Sequence, residues 1–156
     1  MTYEILSSKL DGNTLIIETS EGTKSYDTKS VVAGLLVFVA RGSGQIEPEE
    51  SAKIVALIQD YFSMQGSEAL ELITTVMSDL ADNPALAEPL VDLGVSLPDG
   101  DKEDIALMGL KVIAADGHRD VAEMEQFNFA MGALGVAPEV VHRAFGRYFA
   151  ETMPGG

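Results

Sequence analysis

The hydrophobic positions change their spacing once along this chain, close to Thr28. Before that point the stretch "NTLIIETSEGTKSYD" (13–27) holds two short runs rich in β-branched and aromatic residues. They are parted by Glu21-Gly22, and Asp11-Gly12 marks an earlier turn. Such runs predict a small N-terminal β-hairpin over residues 12–27, turning at Glu21-Gly22, or a three-stranded meander. Two strands alone are marginal in water, so this unit is expected to pack on the main body.

From Thr28 on, the spacing is helical. "VVAGLLVFVA" (31–40) is apolar almost all round, the mark of a buried helix, with Thr28 or Ser30 as its expected cap and an end near Gly42 and Gly44. Pro48 suits a first helical position after a cap at Glu47, and Ile54, Ile58, Tyr61 and Phe62 share one face of the helix it opens. Ser67 is the expected cap of a helix striped by Leu70, Ile73, Met77 and Leu80. Asn83-Pro84 starts a short helix that Pro89 is expected to interrupt. "LPDGDKED" (97–104) reads as a loop running into an acidic helix start, followed by a stripe of Ile105, Met108 and Val112. Asp120 caps a helix carrying Met124, Phe127, Met131 and Leu134. Pro138 opens the last helix, with Val141, Phe145 and Tyr148 turned inward. Met77, Met108, Met124 and Met131 all fall on such stripes, as core filler does. The fold expected is mainly α: a bundle of about seven helices behind a small β-hairpin. Residues 1–27 form the hairpin appended to the main domain, 28–150 the helical domain, and 151–156 a disordered tail.

Composition narrows the function classes. A chain of 156 residues suits a single domain that buries roughly 68–70% of its unfolded surface. There is no cysteine, hence no disulfide, no thiolate metal site and no cysteine nucleophile. No stretch reaches the roughly 18 apolar residues of a membrane span. "MTYEILSSKLDG" lacks the basic region and apolar core of a signal peptide, so a cytoplasmic protein is expected. The net charge of −15, from 25 acidic and 10 basic residues, speaks against nucleic acid and suits cations or a basic protein partner. There is no G-x-S-x-G elbow, P-loop or H-E-x-x-H, and no enzyme is expected.

Two acidic stretches echo each other: "VFVARGSGQIEPEES" (37–51) and "VIAADGHRDVAEME" (112–125). Each runs from an apolar helix through a glycine turn into an acidic helix start, and Gly44 and Gly117 are 73 residues apart. Two such helix–turn–helix units suggest a pseudo-repeat within the bundle. Glu50 follows Gly44 by six residues, as Glu123 follows Gly117. That is the spacing of the second half of a calcium loop. Asp116, Asp120 and Glu123 take ligand-like positions in the second corner, and Ser43, Glu47 and Glu50 the same places in the first. The earlier half of such a loop is missing, because Val112 and Ala114, or Val39 and Arg41, stand where its first carboxylates belong. A full site would need the two corners to pool their carboxylates.

The same residues also make good helix caps. Asp120-x-x-Glu123 is a capping box, and acidic residues suit any helix N-terminus. His118, beside Asp116 and Asp120, is a candidate ligand for a transition metal or an exposed turn residue. His142, Arg143 and Arg147 are candidates for an anion contact or a solvated face.

The duplicated pattern of an apolar helix, a short acidic turn and an acidic helix start resembles the TerB-like tellurite-resistance family over about residues 31–150. Ala115, Asp116, Gly117 and Glu123 fit the family motif A-D-G-x-[I/V]-x-x-x-E; in the first copy Gly44, Ile46, Pro48, Glu49 and Glu50 fit it, with Ser43 in place of the aspartate. The N-terminal hairpin is not part of the usual pattern. The resemblance implies an all-α fold of about seven helices, no catalytic activity and an acidic metal-ion site. It also implies a role in stress or metal-resistance complexes with a protein partner. The expected metal residues are Asp116, Asp120, Glu123, Glu47 and Glu50, with His118 as a further binding residue. The expected cofactor is a divalent metal ion, calcium or magnesium before zinc. The oligomeric state is left open, a homodimer included. The alternative is a helical protein–protein interaction module that binds no metal, its acidic residues serving only as caps.

Overall fold

The structure is a computed structural model, and it describes residues 4–12, 14–41, 48–115 and 121–152. Three strands, β1 (Ile5–Asp11), β2 (Thr14–Thr19) and β3 (Gly22–Tyr26), form an antiparallel sheet in the order β1-β2-β3. The three-stranded meander is therefore the form adopted. Gly12, between β1 and β2, has φ +61°, and Gly22 has φ +128°. Both conformations strain a residue with a Cβ. Thr19 pairs with Gly22, which puts the β2–β3 turn at Ser20-Glu21, one residue earlier than the sequence suggests. The Thr19 hydroxyl fixes it by donating to the Gly22 carbonyl at 2.7 Å and accepting from the Glu21 amide at 3.1 Å.

Along β2 the alternation is clean: Leu15, Ile17 and Thr19 are buried on one face. Leu15 and Ile17, with Tyr26 of β3, cover Val31, Leu86, Leu90 and Leu93, a core cluster separate from the main one. Tyr26 also donates its hydroxyl to Asp79 at 2.8 Å, tying the sheet to the helices.

Seven α-helices follow among the described residues. They are α1 (Thr28–Ala40), α2 (Pro48–Phe62), α3 (Gly66–Asp82), α4 (Ala87–Val95), α5 (Asp99–Ile113), α6 (Val121–Ala133) and α7 (Pro138–Thr152), with a 3₁₀ turn at Pro84–Leu86 before α4. The apolar α1 is central and packs against α2, α3, α4, α5 and α6, while α7 lies along α5. Asp27 caps α1 by accepting from the Ser30 amide, so neither Thr28 nor Ser30 is the cap. Pro48 and Pro138 open their helices as expected, because a first-turn residue needs no N–H donor.

Three local expectations change. α3 starts one residue before Ser67, where the Gln65 amide donates to Glu68 at 3.3 Å. Its buried stripe is Ala69, Ile73 and Val76, and Leu70 is exposed. Pro89 does not interrupt α4, because it sits in the first turn, where the missing N–H costs nothing. α5 begins at Asp99, inside the stretch expected to be loop. In α7 the fully buried positions are Val140 and Ala144, with Val141, Phe145 and Tyr148 half-buried beside them. The tail residues 153–156 lie outside the described residues.

Candidate functional site

The two acidic corners follow the C-terminal ends of α1 and α5, the two helices that bury the most residues, which pack against each other. Their turns, with Gly44, Glu47, Asp116, Gly117, His118 and Asp120, lie outside the described residues. What is described is the far side of each corner. Glu50 is the third residue of α2 and Glu123 the third of α6. Both are buried, with 0% and 2% of their surface exposed. One oxygen of each, Oε2, is sealed from solvent. Each glutamate is engaged in a polar interaction within the fold.

Burying a carboxylate is unfavourable unless positive charge or hydrogen-bond donors compensate it. The N-terminal turn of a helix supplies part of that compensation through its free amides and its dipole. The third helical position is where a capping-box glutamate reaches back to the cap residue. Equal placement and equal burial thus make Glu50 and Glu123 an equivalent pair, as their sequence spacing suggests. Neighbouring Glu49 and Glu125 are exposed and act as ordinary surface residues. Among the described residues, no three Asp, Glu or His side chains come together as a metal-binding group. The remaining expected ligands, Glu47, Asp116 and Asp120, belong to the turns themselves.

An open depression of about 660 Å³ lies beside the corners, bordered by Glu49 and Lys53 of α2, Lys111 and Ala114 at the end of α5, and Tyr148 and Glu151 of α7. Lys111 pairs with Glu151 at 2.8 Å, which holds that carboxyl below the usual range. Further along α5 and α7, Glu103 binds Arg143 at 2.7 Å and Arg147 at 3.0 Å, while Arg147 also reaches Asp104 at 2.7 Å. Arg143 and Arg147 are therefore committed to carboxylates and are not the anion contact considered from the sequence. His142, beside them, is exposed. The i, i+4 spacing of the two arginines was visible in the sequence; the adjacency of α5 and α7 that gives them partners was not.

The sequence profile of the family described as "Tellurite resistance protein TerB" matches residues 29–145. The chain belongs to the TerB family. The matched segment takes in all of α2 to α6, both corners and most of α1 and α7, and it leaves out the three-stranded sheet. Among solved structures, the TerB chain is similar to a protein of unknown function from Porphyromonas gingivalis W83, at 18% identity and a TM-score of 0.58, over 77% of this chain and 86% of that one. At that identity the likeness is one of fold. No curated protein sequence matches. None of the helices described in this TerB chain is long and apolar enough to cross a membrane.

Proposed function

We propose that this chain is a non-catalytic TerB module that binds a divalent cation, calcium or magnesium, through its two acidic corners and works within a stress- or metal-resistance complex of the cytoplasm. The observation that carries this reading is the matched burial of Glu50 and Glu123 at the same position of two repeated corners. Carboxylates, buried at Glu50 and Glu123 and joined along the sequence by Glu47, Asp116 and Asp120, are the donor type that hard cations prefer. In this reading those five residues hold the ion, with His118 as a further binding residue, and the ion supplies positive charge to compensate the buried carboxylates and join the corners. It would stabilise the fold by mass action, by about 2.7 kcal/mol when present at a hundred times its dissociation constant.

A second reading rests on the position of the same glutamates. The third residue of a helix is a capping place, and both glutamates are already engaged within the fold. The module would then use its surfaces for protein interactions and bind no metal.

Glutamine separates the two readings, because it keeps the capping hydrogen bond but not the charge. Thermal melts of wild type, Glu50→Gln with Glu123→Gln, and Asp116→Ser are compared in chelator and in millimolar calcium or magnesium. Cation binding predicts a metal-dependent rise in Tm of wild type that both variants lose. Superimposable wild-type melts with and without metal leave capping as the role of both corners.

A further inference from the structure

On the molecule's other face α1, α3, α4 and α6 enclose an apolar pocket of about 220 Å³. Leu35 and Phe38 of α1, Leu80 of α3, Val91 of α4, Phe129 of α6 and Leu134 just after it line it. Two rings stand at its mouth. Phe38 is 37% exposed and Phe129 is 69% exposed, with centroids 6.0 Å apart. Cavities of about 150 Å³ suffice to hold benzene, so this pocket has room for one bulky side chain. Two exposed rings joined to an apolar pocket make a contiguous apolar patch, the kind of surface that marks an interaction site.

The charge around the pocket says what kind of partner covers it. The four helices carry Glu68, Glu71, Asp79, Asp82, Glu88, Asp92, Glu123 and Glu125, against a single basic residue, Lys29. Lys29 is paired with Asp27 at 3.8 Å. Three of the acids adjoin the pocket wall: Glu88 follows Ala87, Asp92 follows Val91, and Glu125 lies one helical turn before Phe129. All three are exposed. A second copy of the chain would set this acidic rim against itself, in a molecule of net charge −15. A small apolar molecule would fill the pocket but leave the outer faces of both rings in water.

We propose that this face docks a basic amphipathic helix of a partner protein. One bulky apolar side chain enters between Phe38 and Phe129, and flanking lysines or arginines meet Glu88, Asp92 and Glu125. Buried aromatic anchors with a charged rim are how helices bind in grooves. The docking does not depend on cation binding at the corners.

The test uses the full chain and three synthetic helical peptides. The first has leucines at i, i+3, i+4 and i+7 and lysines elsewhere, the second replaces its lysines with glutamates, and the third replaces its leucines with alanines. Binding is measured by calorimetry in 0.15 M salt, once with chelator and once with calcium. The Leu/Lys peptide is expected to bind equally in both. The other two peptides should bind at least tenfold more weakly. Phe129→Ala, and separately the triple change Glu88→Gln, Asp92→Asn and Glu125→Gln, should each weaken it at least tenfold. Ala133→Trp, at an exposed position on the pocket wall, should block it from outside and serves if Phe129→Ala melts early. The proposal is overturned if the Leu/Lys peptide fails to bind, if the alanine peptide binds as well as the leucine one, or if Phe129→Ala and Ala133→Trp bind like wild type. Concentration-dependent dimerisation lost on Phe129→Ala would overturn it too, in favour of self-association.

Discussion

Glu103 sits between two guanidinium groups, and the hydrogen bonds from Arg143 first and Arg147 second hold its carboxyl below the ordinary glutamate range. A lowered folded value means that this group favours the native state above about pH 4.3, the unfolded value, and that the contribution fades as the pH falls through the lower folded one. Arg143→Gln should therefore lower Tm modestly at pH 7, and its gap to wild type should close as the pH falls through the folded value, a comparison that melts followed by circular dichroism across pH make directly. Tyr61 shifts the other way. Partial burial comes first and the Asp104 carboxylate second, and together with Asp101 they push its hydroxyl above the ordinary tyrosine value. It donates to Asp104 at 3.1 Å and to Asp101 at 3.4 Å, bonds that ionisation would abolish. In an ultraviolet titration one of the four tyrosines should ionise last, and Tyr61→Phe should remove that step.

Between elements, small residues decide how closely helices approach. A Cβ on Gly109 of α5 would meet two ring carbons of Phe127 at 3.1 Å, and Phe127 of α6 is fully buried, edge-on to Phe145. Gly109→Ala gains about 1 kcal/mol of helix propensity and loses about 1–3 kcal/mol to overpacking. The expected net is destabilisation by about 1 kcal/mol, which lowers Tm by roughly 2–4 °C. Tyr26→Phe removes the hydroxyl that holds the sheet to Asp79 and should cost about 1.5 kcal/mol in a urea titration with an unchanged slope. The starts of α2 and α7 were readable because Pro48 and Pro138 act locally. The buried face of α3 was not, because Leu70 and Ala69 offer competing stripes and only the helices packed against it, α1 and α2, select between them. Both corners could be found from their repeated glycine and glutamate. The burial of Glu50 and Glu123 could not, since a glutamate at the third helical position reads equally as an exposed cap. The Phe38–Phe129 pocket was hidden too, as its two rings belong to helices that meet only in the folded chain.

For the molecule as a whole, a net charge of −15 on 156 residues works against the compact state through self-repulsion. Raising sodium chloride from about 0.01 to 0.15 M shortens the screening length from about 30 to 8 Å. Tm is therefore expected to rise by several degrees, and a fall would show that the Glu103–Arg147 network outweighs the repulsion. Magnesium chloride compared at equal ionic strength separates this screening from binding at the corners. The sheet adds a different kind of behaviour. From Leu6 to Asp11 every residue of β1 is exposed, and its ladder to β2 is its principal tie to the molecule. Only Ile5, half-buried at the start of the strand, packs against the second core, so peeling β1 away is expected to cost a small fraction of the free energy of global unfolding. In heavy water the β1 amides should take up deuterium early, while those joining β2 to β3 keep their protons until the whole chain unfolds. The cover over the second core would then lose one strand in brief, local openings while β2, β3 and the helices beneath stay in place.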